Sequence, residues 1–265
     1  MKVVSWDVGV VNLAYCIMEK QDNTKLPYKI YKWGKIDLLD RERIRCDLCD
    51  KLATWKSFSK NYCKIHKKLH EIPKVIKIKS SKCCKCKKNG TFQIENETYC
   101  SSHKNQYLKK CTLKKLKPIT SSKVSMFIKK RNLYKELDNI PELLQVEQVL
   151  IENQPAYKNP SMKAIGECVF NYFLVRGVID KQIIKSIKFI SPSNKLKVNE
   201  DNTIEVLSKA QSKEQKYKLT KELGIKYTKT LLKNDDNMLC YMNSHKKKDD
   251  LADAFLQGCH YLSKN

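Results

Sequence analysis

The chain has 265 residues and a formal net charge of +25, from 53 Lys and Arg against 28 Asp and Glu. That length buries one good core with room for a sizeable insertion, and the charge selects a polyanionic partner, nucleic acid or an anionic membrane surface. No stretch approaches the ~20 apolar residues that span a bilayer, and MKVVSWDVGVVNLAYCIMEK has no basic lead before a long apolar run, so no membrane or secreted protein is expected.

Three short strands open the chain. KVVSWDVG is a buried strand with Val3, Val4 and Trp6 ending at Asp7 and Gly9, NLAYCIM is a second, and Tyr28 to Leu38 a third. Tight turns between them predict an antiparallel meander.

The next segment changes character. Its cysteines form an internal repeat, Cys46-x2-Cys49-x13-Cys63-x2-His66 and Cys83-x2-Cys86-x13-Cys100-x2-His103, with identical spacings offset by 37 residues. Each copy carries a Thr-aromatic pair (Thr54-Trp55, Thr91-Phe92) and a Tyr before its third Cys (Tyr62, Tyr99). Cys84 competes with Cys83, which the matching spacing favours. Three thiolates and one imidazole make the closed tetrahedral shell of structural Zn2+, so two such ions are expected, each supplying most of its module's folding energy. Without a secretory signal, a disulfide framework is not expected, and the setting is read as intracellular and reducing: cytoplasm, virus factory or nucleus. Residues 41–120 hold 22 Lys and Arg against 6 Asp and Glu, which reads as a phosphate-contacting arm.

Past this insertion, residues 121–140 predict a helix capped by Ser121 or Ser122, with Val124, Phe127, Ile128, Tyr134 and Leu137 near one stripe. QVLIENQP is a fourth strand with Glu152 just past its apolar centre. Residues 160–180 form a largely buried helix, with Ile165, Val169 and Phe173 recurring every four residues. SIKFISPSNKLK is a fifth strand entering a Ser/Pro/Asn turn. Residues 199–245 are polar and give little beyond a helix over Lys213–Leu223. KKKDDLADAFLQG opens the last helix: Leu251, Phe255, Cys259 and Leu262 form its apolar stripe, and Asp249, Asp250 and Asp253 lie opposite. Helical geometry admits either Asp249 or Asp250 as the partner of Asp253.

The order β-β-β-α-β-α-β-α, with acidic residues after the first strand, after the fourth strand and on the last helix, resembles the ribonuclease H-like fold. Its RuvC-type branch, the Holliday junction resolvases, is the nearest match, and within it the enzymes of poxviruses and other large DNA viruses. The resemblance rests on W-D-V-G-V-V-N (Trp6 to Asn12), L-I-E-N-Q-P (Leu150 to Pro155), S-P-S-N-K (Ser191 to Lys195) and K-K-D-D-L-A-D-A (Lys247 to Ala254). It covers most of residues 1–40 and 118–265 and implies an α/β mixed sheet flanked by helices. The domains expected are a nuclease core in two parts, 1–40 and 118–265, and a basic insertion, 41–117, holding two zinc modules.

The resemblance implies a metal-dependent endonuclease cutting four-way or other branched DNA with two Mg2+ (or Mn2+) per active site. Asp7 would bridge the metals, and Glu152, Asp250 and Asp253 would complete their shells, the family's D-x-x-D spacing selecting Asp250 and leaving Asp249 beside it. Lys195 matches the place where poxvirus-type enzymes present an active-site lysine. Phosphodiester hydrolysis agrees with that set, since Mg2+ prefers carboxylate oxygens and a metal pair stabilises both attacking and leaving oxygens. Paired cuts need two active sites, so a homodimer is expected, with Met162, Val169, Phe170 and Tyr172 available for its interface. The competing reading is a non-catalytic zinc-dependent nucleic-acid-binding or transcription protein on a retained nuclease fold. A transposon-type or RNA-guided nuclease would call for further domains, and a basic structural protein would leave the acidic set unexplained.

Overall fold

Val3, Val4, Ser5 and Trp6 are all fully buried because their strand, β1 (Lys2–Asp7), lies in the middle of a sheet. The computed structural model describes residues 1–22, 26–157 and 159–265. They form two compact units, 1–41 with 121–265, and 42–120.

In the larger unit, β1 pairs antiparallel with β2 (Leu13–Lys20), which pairs antiparallel with β3 (Tyr28–Ile36). On its other side β1 runs parallel to β4 (Gln148–Glu152), and β4 parallel to β5 (Ser186–Ile190). The sheet order is therefore β5-β4-β1-β2-β3. This is a mixed sheet of the kind the sequence resemblance implies, and its three parallel strands explain why β1 and β4 read as continuous apolar runs.

Helix α1 (Met126–Asp138) is capped by Ser125, whose side chain accepts from the Ile128 backbone N–H, in place of Ser121 or Ser122. Those two serines belong to a 3-10 turn, Ser121–Lys123. The buried face of α1 is also rotated from the predicted stripe: Lys129, Asn132, Leu133 and Leu137 are buried and Phe127 is exposed. Asn132 donates to the Leu38 carbonyl at 2.9 Å, so a hydrogen bond secures what the apolar pattern left out.

Helix α2 (Pro160–Phe173) buries Ile165, Val169 and Phe173 and continues as a π-helical segment, Leu174–Asp180. Val169 and Tyr172 are core residues, which removes both from any interface between copies. The exposed apolar side chains here are Leu174, Val175 and Ile179.

Residues 199–245, hard to place from sequence, hold three helices: α3 (Glu200–Ser208), α4 (Lys213–Leu231) and α5 (Asp236–Ser244). A 3-10 segment, Pro192–Asn199, leads into α3. Helix α6 (Lys248–Lys264) packs across the sheet. Its stripe of Leu251, Phe255, Cys259 and Leu262 is buried as expected, and so are Ala252, Ala254, Leu256 and Gln257 beside it. Trp33 donates its indole N–H to the Leu251 carbonyl at 3.0 Å and fixes the start of α6 over β3.

The smaller unit repeats one plan twice. Each copy has a Cys-x2-Cys turn and a β-hairpin, then a Cys-x2-His at the start of a helical segment, His66–Leu69 in the first and Ser101–Cys111 in the second. Tyr62 and Tyr99 are buried between the ligand turns, joined by Ile94 in the second copy. The repeated aromatics serve as cation seats, with Lys67 over Trp55 at 4.7 Å and Lys104 over Phe92 at 4.1 Å. Lys114–Lys115 returns to pair with Trp55–Lys56, tying the end of the second module into the sheet of the first.

No helix among the described residues is long and apolar enough to cross a membrane.

Candidate active site and metal centres

Asp7 ends β1 and Glu152 ends β4, and the parallel register that pairs Trp6 with Ile151 sets the two acids side by side at one edge of the sheet. Lys195, on the 3-10 segment after β5, arrives at the same edge. The carboxyl ends of parallel strands are where α/β folds present ligand sites. Helix α6 adds Asp249, Asp250 and Asp253, and α4 adds Tyr217, Thr220 and Lys221, around a pocket of about 360 Å3. All five expected site residues line it: Asp7, Glu152, Lys195, Asp250 and Asp253.

Two backbone close approaches shape the pocket. A Cβ at Gly9 would stand 2.6 Å from the Asn12 carbonyl oxygen, so only glycine allows the loop after β1 to fold back on itself. A Cβ at Gly224 would stand 3.3 Å from Asp253 Oδ1, so the small residue lets α4 lie against that carboxylate.

Glu152 is held from both sides. Gln257 Nε2 donates to its Oε2 at 2.6 Å and Gln154 Nε2 to its Oε1 at 3.1 Å. Lys195 donates to Asp253 and stands 3.9 Å from Glu152. Lys221 pairs with Asp249 at 2.5 Å, and its ammonium lies 4.8 Å from the Tyr217 ring centroid.

The charges do not balance. Burial, then the Glu152 and Asp253 charges, push Asp7 well above the usual carboxylate range, and Lys195 only partly opposes them. Burial raises Asp253 to about 6 despite its bond to Lys195. Burial works against the Lys195 ammonium, but the charges of Asp253, Glu152 and Asp7 outweigh it and raise its pKa. Burial also raises Asp250, followed by the Asp249 charge, and Asp250 Oδ2 is buried without a hydrogen-bond partner. Asp249 moves the other way: Lys221 outweighs the effect of burial and lowers it. Both members of the pair that helical geometry left open therefore reach the pocket. Asp249 is held in an ion pair and adds to the field at Asp253, while Asp250 carries the oxygen without a partner.

Hard carboxylate oxygens in excess over ammonium groups, one of them without a partner, suit a hard divalent cation. Asp7 and Glu152 lie within hydrogen-bond reach of each other, but a third acid does not join them at one point. Among the described residues, the groups of three or more Cys, His, Asp or Glu with all donor atoms within 4.8 Å of one another are the two Cys3His sets.

Those sets are Cys46, Cys49, Cys63, His66 and Cys83, Cys86, Cys100, His103. The Cys49–Cys63 and Cys86–Cys100 sulfurs are 4.0 Å apart, close to the ~3.8 Å edge of a tetrahedral Zn2+ shell with Zn–S near 2.3 Å. Each His turns Nδ1 inward, 3.5 Å from Cys46 and Cys83 respectively. Cys84 points away, toward Glu97 at 3.7 Å. Burial would raise the Cys46 and Cys83 thiols, but backbone N–H groups and the facing His outweigh it and bring both down to about 6, primed for thiolate ligation.

Sequence reasoning missed Gln154, Gln257, Tyr217, Thr220 and Lys221. Gln257 was within reach, one helical turn past Asp253 on the same face. The α4 residues carried no signal, since their helix has no clear apolar period.

No protein-family model matches the chain. It is 38% identical over 311 aligned residues to the uncharacterized protein L451 of Acanthamoeba polyphaga mimivirus, across 99% of this chain and 74% of that one. The chain belongs to the L451 family. Solved structures similar to this L451-family chain include Holliday junction resolvases. Yeast mitochondrial Ydc2 has 14% identity and a TM-score of 0.46, over 98% of this chain and 78% of that one. The fowlpox virus resolvase in complex with Holliday junction DNA has 14% identity and a TM-score of 0.42, over 100% and 98%. Thermus thermophilus RuvC has 9% identity and a TM-score of 0.40, over 100% and 96%.

Proposed function

We propose that the chain is a metal-dependent endonuclease that cuts branched DNA, four-way junctions foremost, by phosphodiester hydrolysis. The observation that carries this reading is the pairing of Asp7 and Glu152 at adjacent parallel strand ends, in one pocket with Asp253 and with Lys195, which bonds Asp253 and approaches Glu152. Asp7, Glu152, Asp253 and Asp250 would hold the cations. A bound Mg2+ or Mn2+ pair supplies an activated water and neutralises charge on the leaving oxygen.

The chain's own groups do the rest. Gln154 and Gln257 fix both oxygens of Glu152, so that acid keeps its orientation when charge enters the pocket. Lys195 brings a fixed positive charge to the strand ends, where it meets the scissile phosphate and the negative charge that develops on it. The basic Cys3His unit contacts DNA phosphates, each module held by one Zn2+. Paired cuts need two such pockets, which makes the active form a homodimer, working in a reducing, intracellular setting that keeps the thiolates available.

The test is cleavage of a labelled four-way junction against linear duplex of the same sequence, with Mg2+ or with no added divalent ion. A chelator is avoided because it also strips zinc. Paired nicks that need Mg2+ and fall by at least ~100-fold in Asp7→Asn are expected. Tight junction binding without cutting in Mg2+ or Mn2+ would put the non-catalytic binder ahead.

A further inference from the structure

Residues of both Cys3His modules, none of them a ligand, line a cleft of about 460 Å3. Phe58, at the tip of the first module's hairpin, is 64% exposed, an unusual place for a phenyl ring. Its ring centroid is 6.3 Å from that of Tyr107 in the second module, and Tyr107 in turn is 5.3 Å from Tyr99. Across the cleft, His70 stands edge-on to Tyr62 at 5.6 Å. Both modules therefore contribute flat aromatic walls to one opening.

Exposed lysines and exposed glutamates both face the opening. Lys60 lines the opening and Lys110 approaches the Phe58 ring at 6.0 Å, within a unit where lysines far outnumber acids. Glu71 and Glu95 also line it. Glu95 is one of two residues other than glycine with positive φ among those described, at 54°, a conformation that glycine or asparagine would adopt more readily. A carboxylate is kept there at a local backbone cost.

An exposed aromatic ring beside lysines is how proteins stack single-stranded bases while neutralising the backbone. Carboxylates accept hydrogen bonds from base amino groups, and they repel phosphate, which directs the backbone toward Lys60 and Lys110. An apolar peptide would use the rings but leave both the lysines and the acids idle. We propose that this cleft binds an unpaired nucleobase, with Phe58 as the stacking platform and Glu71 and Glu95 as acceptors for an exocyclic amino group. The proposal rests on the reading that the chain acts on DNA and deepens it: the preferred substrate carries unpaired bases near its branch, and amino-bearing bases are favoured over thymine.

The experiment uses the full-length, zinc-loaded chain and a splayed duplex with 2-aminopurine in its unpaired arm, beside a fully paired duplex of equal length. Binding of wild type should quench the unpaired 2-aminopurine. Phe58→Ala should lose the quench and bind the splayed substrate roughly tenfold more weakly, with paired-duplex binding unchanged, and Phe58→Trp should restore both. Zinc content measured in each variant reports on folding. Equal quenching and affinity in wild type and Phe58→Ala would overturn the proposal, as would wild-type binding without any quench. Quenching that persists in a protein unable to cut junctions would leave the cleft standing and bring down the nuclease reading instead.

Discussion

The Cys3His sets and the carboxylate pocket both gather ligand-type side chains, by opposite means. Each Cys3His set spans 21 residues and brings its donor atoms within 4.8 Å of one another. The pocket draws Asp7, Glu152, Lys195 and Asp253 from along the whole chain, and its acids do not bring three donor atoms together as tightly as the thiolate sets do, with a lysine among them. A thiolate set placed by local turns has little to hold it except its ion. An acidic set placed by a sheet is held by the sheet, and can stay open for cations that arrive with the substrate.

The sharpest way to break that comparison is to remove one ligand from each. Cys63→Ser should lower the zinc content from two ions per chain to one and open residues 42–120 to limited proteolysis. Asp7→Asn should keep both ions and the same protease resistance while losing cleavage. If Cys63→Ser stayed resistant with one zinc bound, local turns alone would suffice to fold the module, and the contrast between the two regions would fail.

A smaller effect is expected at Gln257. Its Nε2 holds Glu152, yet its Oε1 is buried without a partner. Gln257→Leu removes a donor to a buried carboxylate, a loss of ~1–3 kcal/mol, and also removes an unsatisfied acceptor of similar cost. Thermal stability should therefore change little, while junction cleavage falls about tenfold because Glu152 is no longer fixed. A collapse in stability with unaltered turnover per folded molecule would make Gln257 a core residue with no part in positioning the acid.

The same contrast decides what could be read from the sequence. The Cys3His sets were legible to the residue, Cys83 over Cys84 included, because their ligands lie at fixed short spacings and the chain states the pattern twice. Strands β1, β4 and β5 were legible as apolar runs, and their end residues as candidates, since acids just past such runs are conspicuous. Register was not: that Asp7 and Glu152 stand side by side depends on a parallel pairing across 145 residues. Within residues 199–245 the helix read over Lys213–Leu223 runs on to Leu231, while α3 and α5 went unread because each is only nine residues long and buries at most one side chain. Lys221, which holds Asp249, lies on the helix that was read but is one lysine among many there, so its role went unseen. In α1 the apolar stripe misled, because a hydrogen bond from Asn132 and the stem of Lys129 lie on the face that packs.

The finest test of the comparison is in pH. Asp253 is raised to about 6 and Asp7 lies well above its ordinary range, so folding favours the protonated form of both acids. A carboxyl raised in the folded state contributes stability that is fully present below its unfolded pKa, near 4, and is lost as pH rises through the folded value. Without divalent ions, the larger unit should become less stable between about pH 4 and pH 7. A cation bound by the ionised acids offsets that loss by mass action. Added Mg2+ should therefore leave the melting temperature unchanged at pH 5 and raise it by about 2–4 °C at pH 7.5, the shift that ~1 kcal/mol gives in a domain this size. Asp7→Asn should flatten both trends, since it removes one of the raised groups and one metal ligand together. A Mg2+ shift of equal size at pH 5 and pH 7.5 would mean that the cation binds elsewhere, and the pocket would lose its claim to be a metal site.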